Sequence, residues 1–230
     1  PDFKFPQTWR SNIAVDRRLP WGLVGTGEFI YNSDVNGIKY INANLPAAQS
    51  AYTGVDNRAR WVGTACGTGT PSGCVTRINN AVANQVTGAI VLQNQNNSTS
   101  WNVSGSLVKS MTNGFTARGS YSYGESKNLI NASTIAFTSW SGNQIVNDPN
   151  NPTVAFSTAS PGHRVLINAG YTKSYINKLA TTVSAIWESR VSGNNTGYVF
   201  SGDANGDTGT SNDLIYIPRN TSEMNFVTFT

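Results

Sequence analysis

Residues 100–127 alternate with a period of two on either side of a tight turn. In the first run Trp101, Val103, Gly105, Leu107 and Met111 share one face, and Asn102, Ser104, Ser106 and Ser110 share the other. In the second run Phe115, Ala117, Gly119, Tyr121 and Tyr123 stand against Thr116, Arg118, Ser120 and Ser122. Such alternation predicts strands with unlike faces, and Thr112-Asn113-Gly114 supplies the turn of a β-hairpin. Two further pairs flank it. Trp9, Ser11, Ile13 and Val15 oppose Arg10, Asn12, Ala14 and Asp16; the chain is expected to turn at Arg17-Arg18-Leu19-Pro20. It returns with Trp21, Leu23, Gly25, Gly27, Phe29 and Tyr31 against Gly22, Val24, Thr26, Glu28, Ile30 and Asn32. From His163 onward, Val165, Ile167, Ala169 and Tyr171 oppose Arg164, Asn168 and Thr172. After a turn at 174–178, Val183, Ala185 and Trp187 oppose Thr182, Ser184 and Glu188.

The connections differ as sharply as the faces. Turns inside the pairs, near Arg18, Asn113 and Ile176, are short. The segments 34–99, 128–161 and 190–230 are several times longer. Within them the sequence predicts a strand around 37–44, a short helix over 77–86, a strand at Ala89-Ile-Val-Leu-Gln93 and a strand at Leu214-Ile-Tyr-Ile217, with Asp148-Pro-Asn-Asn-Pro152 as a breaker. Connections of that length argue for elaborated loops or strands that rise above the main sheet. Short turns on one side and long loops on the other characterise outer-membrane barrels.

A soluble sandwich also alternates, so the chemistry of the faces matters. Here the polar face is mostly small hydroxyls and amides, and the apolar face mixes aromatics with Gly and Ala. Each run is about as long as the roughly 9–11 tilted residues that cross a bilayer, with Tyr121 and Tyr123 placed as an aromatic girdle. Lys109 interrupts the apolar face close to the turn, where its stem can lie along lipid while the ammonium reaches the interface. The competing reading is an ordinary half-buried hairpin.

Composition favours the first reading. Only 12% of the 230 residues are charged, against roughly 25% in average soluble domains, with Asn, Ser, Thr and Gly in their place. No apolar run approaches the roughly 18 residues of a membrane helix, so a membrane would be crossed by strands. The net charge of +4 is spread along the chain, Arg17-Arg18 being the only adjacent basic pair, which reads as a solvated surface and not as a nucleic-acid site. Pro1-Asp2 carries neither an initiator Met nor a signal peptide, and the chain reads as a piece of something longer.

Candidate chemistry is sparse. Cys66 and Cys74 flank a flexible Gly67-Thr-Gly-Thr-Pro-Ser-Gly73 spacer and are read as a disulfide of an oxidising compartment, with free thiols the alternative. Zinc is disfavoured, since the single histidine is remote from both. Asp203, Asn205 and Asp207 place oxygen side chains at alternate positions, as the start of a calcium loop does, and Asp213 adds a fourth. The twelfth position, a glutamate in an EF-hand, is Leu214, so a polar turn without metal is preferred to the calcium reading. His163 lacks a nucleophile elbow, and a structural role at a strand entrance is preferred to a catalytic one. Lumen-lining polarity accounts for Glu28 and Glu188. No cofactor is expected, a calcium ion at the 203–213 loop being the single candidate.

Several segments resemble the barrel of TonB-dependent outer-membrane receptors of the Oar-like group. They are Phe3-Lys-Phe-Pro-Gln-Thr-Trp-Arg10 with Trp21-Gly-Leu-Val-Gly-Thr-Gly-Glu-Phe-Ile-Tyr31, Asn113-Gly-Phe115 leading to Tyr121-Ser-Tyr-Gly-Glu-Ser-Lys127, Pro161-Gly-His-Arg164, and Ser201-Gly-Asp-Ala-Asn-Gly-Asp207 followed by Asn212-Asp-Leu-Ile-Tyr-Ile-Pro-Arg219. The resemblance implies an energised transporter of a Gram-negative outer membrane, in which a barrel of about twenty-two strands encloses a plug. Residues 1–230 are then expected to be part of one all-β domain, an incomplete antiparallel up-and-down transmembrane barrel of about six membrane strands with long extracellular loops. Plug, TonB-contact segment and the carboxypeptidase-regulatory-like module typical of the group fall outside these residues. The implied partners are the TonB complex, engaged through other parts of the parent protein, membrane lipid and lipopolysaccharide, and an unidentified extracellular ligand. The alternatives are a secreted or surface β-rich adhesin and, more weakly, a secreted hydrolase using His163.

Overall fold

In the computed structural model, residues 2–61, 88–110, 113–132, 135–176, 179–191 and 197–224 are described. The proposed disulfide Cys66–Cys74 and the expected helix at 77–86 lie outside them.

Among the described residues eleven strands and one α-helix follow in chain order: β1 (Gln7–Leu19), β2 (Leu23–Val35), β3 (Gly37–Asn42), β4 (Ser50–Ala51), β5 (Ala59–Arg60), β6 (Ile90–Gln95), β7 (Thr99–Ser110), β8 (Phe115–Asn128), α1 (Ala136–Ser141), β9 (Ala155–Phe156), β10 (Gly162–Ile176) and β11 (Leu179–Arg190). Six long strands form an antiparallel meander in the order β1-β2-β7-β8-β10-β11, with the short β9 added to the end of β8. The sheet is open. It does not close into a barrel, and β1 and β11 are its edges.

The three expected hairpins form, with their boundaries moved outward. β1 runs through Arg17-Arg18-Leu19, and the reversal falls on the turn Pro20–Gly22. Pro20 ends the strand because it has no N–H for the ladder, and Trp21 takes φ 60° and projects from the tip instead of joining the β2 face. β10 likewise continues through Ser174 to Ile176. At the central turn Gly114 has φ +87°, and its carbonyl accepts the Thr172 N–H at 2.9 Å from the neighbouring strand. A Cβ there would lie 2.2 Å from the Thr172 carbonyl oxygen. Gly114→Ala is therefore expected to cost at least the roughly 1–2 kcal/mol of a left-handed non-glycine residue, read as a lowered urea midpoint of the refolded chain.

All short turns lie at one end of the sheet and all long connections at the other. The β2–β7 pair continues past a bend at Asn36, which takes φ 58°, as the two-stranded ribbon β3–β6. Asn tolerates that conformation better than other non-glycine residues. The expected strands at 37–44 and 89–93 are this ribbon. The stretch 214–217 forms no strand, making only the bridge Val199↔Leu214, beside the bridge Ile145↔Asp213 that precedes it.

The hydrophobic core is not in the sheet. It lies in the layer built by the long connections, where Tyr40, Leu45, Trp61 and Trp140 are buried together, with Ile38, Ala59, Ile90, Ile130 and Ala136 packed around them. Amide side chains satisfy the irregular backbone there: Asn150 accepts from the Asn42 N–H at 2.7 Å and donates to the Asn42 carbonyl at 3.0 Å, while Asn143 donates to the Leu129 carbonyl at 3.1 Å. Buried loop backbone needs such partners, which explains the asparagine bias.

Candidate functional site

Strand pairing decides which side chains share a surface. Because residues i and i+2 point the same way and partners across a ladder do too, the registers assemble one continuous face. It carries Trp9, Ile13 and Val15 of β1; Leu23, Phe29 and Tyr31 of β2; Trp101, Val103 and Leu107 of β7; Phe115, Tyr121 and Tyr123 of β8; Val165, Ile167 and Tyr171 of β10; Val183 and Trp187 of β11. Among the described residues no second sheet covers it. Ile13 remains 66% exposed, Val183 68% and Ile167 48%. A contiguous apolar surface spanning six strands far exceeds the few hundred Å² that soluble monomers leave open.

The margins of this face differ from its middle. At the long-loop end Trp101 meets Tyr123 edge-on at 5.4 Å, Tyr123 stacks on His163 at 4.4 Å, and the Tyr121 hydroxyl lies 2.7 Å from His163 Nδ1. His163 is thus part of an aromatic row. At the short-turn end Phe115 and Tyr171 stack at 4.5 Å, close to Lys109 and Lys173. Between the margins the glycines Gly25, Gly105 and Gly119 floor a shallow groove of about 620 Å³ flanked by Leu19, Leu107 and Ile167.

The opposite face is predominantly polar, although Val24, Ile30, Val108, Leu166 and Ile186 also lie on it. Cross-strand pairs run from Thr26 to Asp16 at 2.5 Å, from Asn32 to Ser100 at 3.0 Å and between Thr172 and Thr182 at 2.9 Å. Arg164 pairs with Glu188 at 2.9 Å, and Glu28 shares its row with Ser104 and Ser122. Glu28 and Glu188 therefore belong to one polar surface. The sequence pattern located this face; it did not indicate the Arg164–Glu188 pair, which depends on register.

The loop layer brings together the four oxygen-bearing residues singled out in the sequence. Asp203 accepts the N–H groups of Gly206 at 2.7 Å and Thr208 at 2.9 Å; Asp213 accepts those of Ala204 at 2.8 Å and Asn205 at 3.4 Å. Asp207 accepts the Gly209 N–H at 2.6 Å and the amides of Asn205 at 3.1 Å and Asn212 at 2.9 Å. Asn212, missed in the sequence, is as fully buried as Asp207, both at 0% exposure. The spacing pattern had no place for it, since it follows the alternate positions by five residues. Burial raises all three carboxyls above the ordinary aspartate range, despite these hydrogen bonds, and pushes Asp207 up to about 6.

This loop is fastened to the core. The Trp61 N–H donates to the Asn205 carbonyl at 2.7 Å, the Tyr52 hydroxyl to the Ala204 carbonyl at 2.5 Å, and the Ile145 N–H to the Asn212 carbonyl at 3.0 Å. Gly206, with φ +83°, passes so close to the Trp61 carbonyl that a Cβ would lie 2.1 Å from it. Beside the loop a cavity of about 410 Å³ opens between Arg58, Asn131, Asn143, Phe156, Leu214 and Tyr216. It offers amides, a guanidinium and aromatic surface to a ligand.

Among the described residues no helix is long and apolar enough to cross a membrane, which says nothing of a β-barrel. No protein-family model, curated protein or solved structure matches the chain.

Proposed function

We propose that this chain is part of the barrel wall of a TonB-dependent receptor resembling the Oar-like group, inserted in the outer membrane of a Gram-negative bacterium. The observation that carries the reading is the uncovered apolar face of the six-strand sheet, margined by aromatics and backed by a predominantly polar face. In lipid the apolar face meets acyl chains, which the glycine-floored groove admits close to the backbone. Lys109 and Lys173 then reach the headgroup region at the short-turn end, and lipopolysaccharide borders the loop end. The polar face lines the lumen.

Every strand N–H and C=O must find a partner in hydrocarbon. Further strands of the parent barrel would therefore pair with the edges β1 and β11. The loop layer and its cavity would contact the extracellular ligand, while the TonB complex acts on other parts of the parent protein. No catalytic step is assigned to the chain.

A second reading, a secreted or surface β-rich binding module, draws on the loop layer, which holds its own core and cavity. Cell fractionation separates the two. An antibody against this chain is expected to detect the protein in the outer-membrane fraction, resistant to carbonate washing and released by detergent. Recovery in the culture medium or the carbonate supernatant would refute the barrel reading.

A further inference from the structure

The Asn212 side chain lies inside the acidic loop, folded beneath Gly209, where a Cβ on that glycine would come within 2.2 Å of Asn212 Oδ1. Its amide nitrogen is engaged by Asp207, yet Oδ1 is buried with no hydrogen-bond partner among the described residues, as is Thr208 Oγ1. A buried carbonyl oxygen without a donor is costly and rare. Around it stand three carboxylates with little positive charge to balance them. Arg58, whose charge acts on Asp213, is held by Asp56 at 2.6 Å and also donates to the Leu214 carbonyl.

An oxygen lacking a donor, set among largely buried carboxylates that have little counter-charge among the described residues, is the environment that a hard cation satisfies. We propose that the 203–213 loop binds one calcium ion through oxygens of Asp203, Asn205, Asp207, Asn212 and Asp213. Calcium accepts six to eight oxygens in flexible geometry, from carboxylates, amides and backbone carbonyls alike. That tolerance is required here, because no three His, Cys, Asp or Glu side chains among the described residues are already grouped to hold a metal. The amide oxygens complete a set that the carboxylates alone do not form. Magnesium, which demands a near-octahedral shell and keeps its waters, fits such a mixed loop poorly. The ion would lock the loop to Trp61, Tyr52 and Ile145, and so stiffen the layer beside the 410 Å³ cavity.

The proposal does not rest on the membrane reading, and its test does not depend on localisation. Trp61 bonds the loop directly, so terbium bound in place of calcium should luminesce when tryptophan is excited. In the full chain we expect saturable terbium luminescence that calcium displaces, with a calcium dissociation constant of about 10⁻⁴–10⁻³ M, the range of extracellular modules. Asn212→Leu and Asp207→Asn should each weaken binding at least tenfold, and Asn212→Asp, nearly isosteric and adding a carboxylate, should strengthen it. Calorimetry with calcium alone gives the same constants without terbium. Absence of calcium binding at several millimolar overturns the proposal. So does binding that neither Asp207→Asn nor Asn212→Asp alters.

Discussion

Ile167→Arg is expected to destabilise the lipid-embedded protein by about 2–4 kcal/mol, the cost of an arginine on the lipid face near the bilayer midplane. Asn168→Arg, one residue along the same strand, is expected to cost no more than about 1 kcal/mol, the repulsion from Arg118 across the ladder included. The contrast follows from the ladder. Ile167 lies between Gly119 and Trp187 on the apolar face, whereas Asn168 lies between Arg118 and Ile186 on the polar one.

Water on both faces would give a different outcome. Ile167 is 48% exposed with no protein over it, so an arginine there would project into solvent at almost no cost. The pair therefore reports which solvent meets the face. Urea titration of folding into lipid vesicles measures both variants. Equal effects from the two substitutions would remove the physical basis of the barrel reading, while leaving the calcium loop untouched.

Trp61→Ala is expected to cost about 3–5 kcal/mol, the range for emptying a buried tryptophan site, and to act on the loop layer alone. Trp61 packs with Tyr40, Leu45 and Trp140, and its indole N–H donates to the Pro46 carbonyl at 2.8 Å. Loss of that donor strands a carbonyl, adding roughly 1–3 kcal/mol where no water reaches it. The sheet should survive, because the buried hydrophobic residues among those described all lie outside its six long strands. Limited proteolysis should thus cut the variant rapidly within 36–61, 129–161 and 197–224, while far-ultraviolet circular dichroism retains its strand signal. Unchanged protease resistance, or loss of strand signal together with the loops, would contradict two independently stabilised layers. Trp61→Phe should fall between wild type and Trp61→Ala, keeping most of the apolar contact but not the hydrogen bond.

The different legibility of the two layers has a physical origin. In the sheet the informative quantity is the sign of successive side chains, and a strand's period of two is written into neighbouring residues. Trp101 to Leu107 and Phe115 to Tyr123 could be assigned to a face before any partner was known, and the ladder placed them there. The ends of those strands were less legible. Whether Arg17-Arg18 belongs to a turn or a strand depends on where Pro20 interrupts the ladder and on Trp21 accepting a positive φ, neither of which alternation encodes.

In the loop layer the information is spread between distant residues. The helix α1 is six residues long and too short for a helical period to show. Asn42 meets Asn150, which lies 108 residues away, and the Tyr52 hydroxyl meets the carbonyl of Ala204, which lies 152 away. No local pattern anticipates such contacts.

The sequence by itself determined three strand pairs, the unlike character of their two faces, and the alternation of short turns with long connections. These are properties of neighbours along the chain, and pleating turns them into geometry without help from elsewhere. Only the tertiary structure decided that the apolar face lies uncovered, that the buried core belongs to the loops, and that Asn212 joins the aspartates at 203, 207 and 213. Those outcomes depend on which distant surfaces meet, and the free energy of that meeting is a property of pairs that the linear order does not contain.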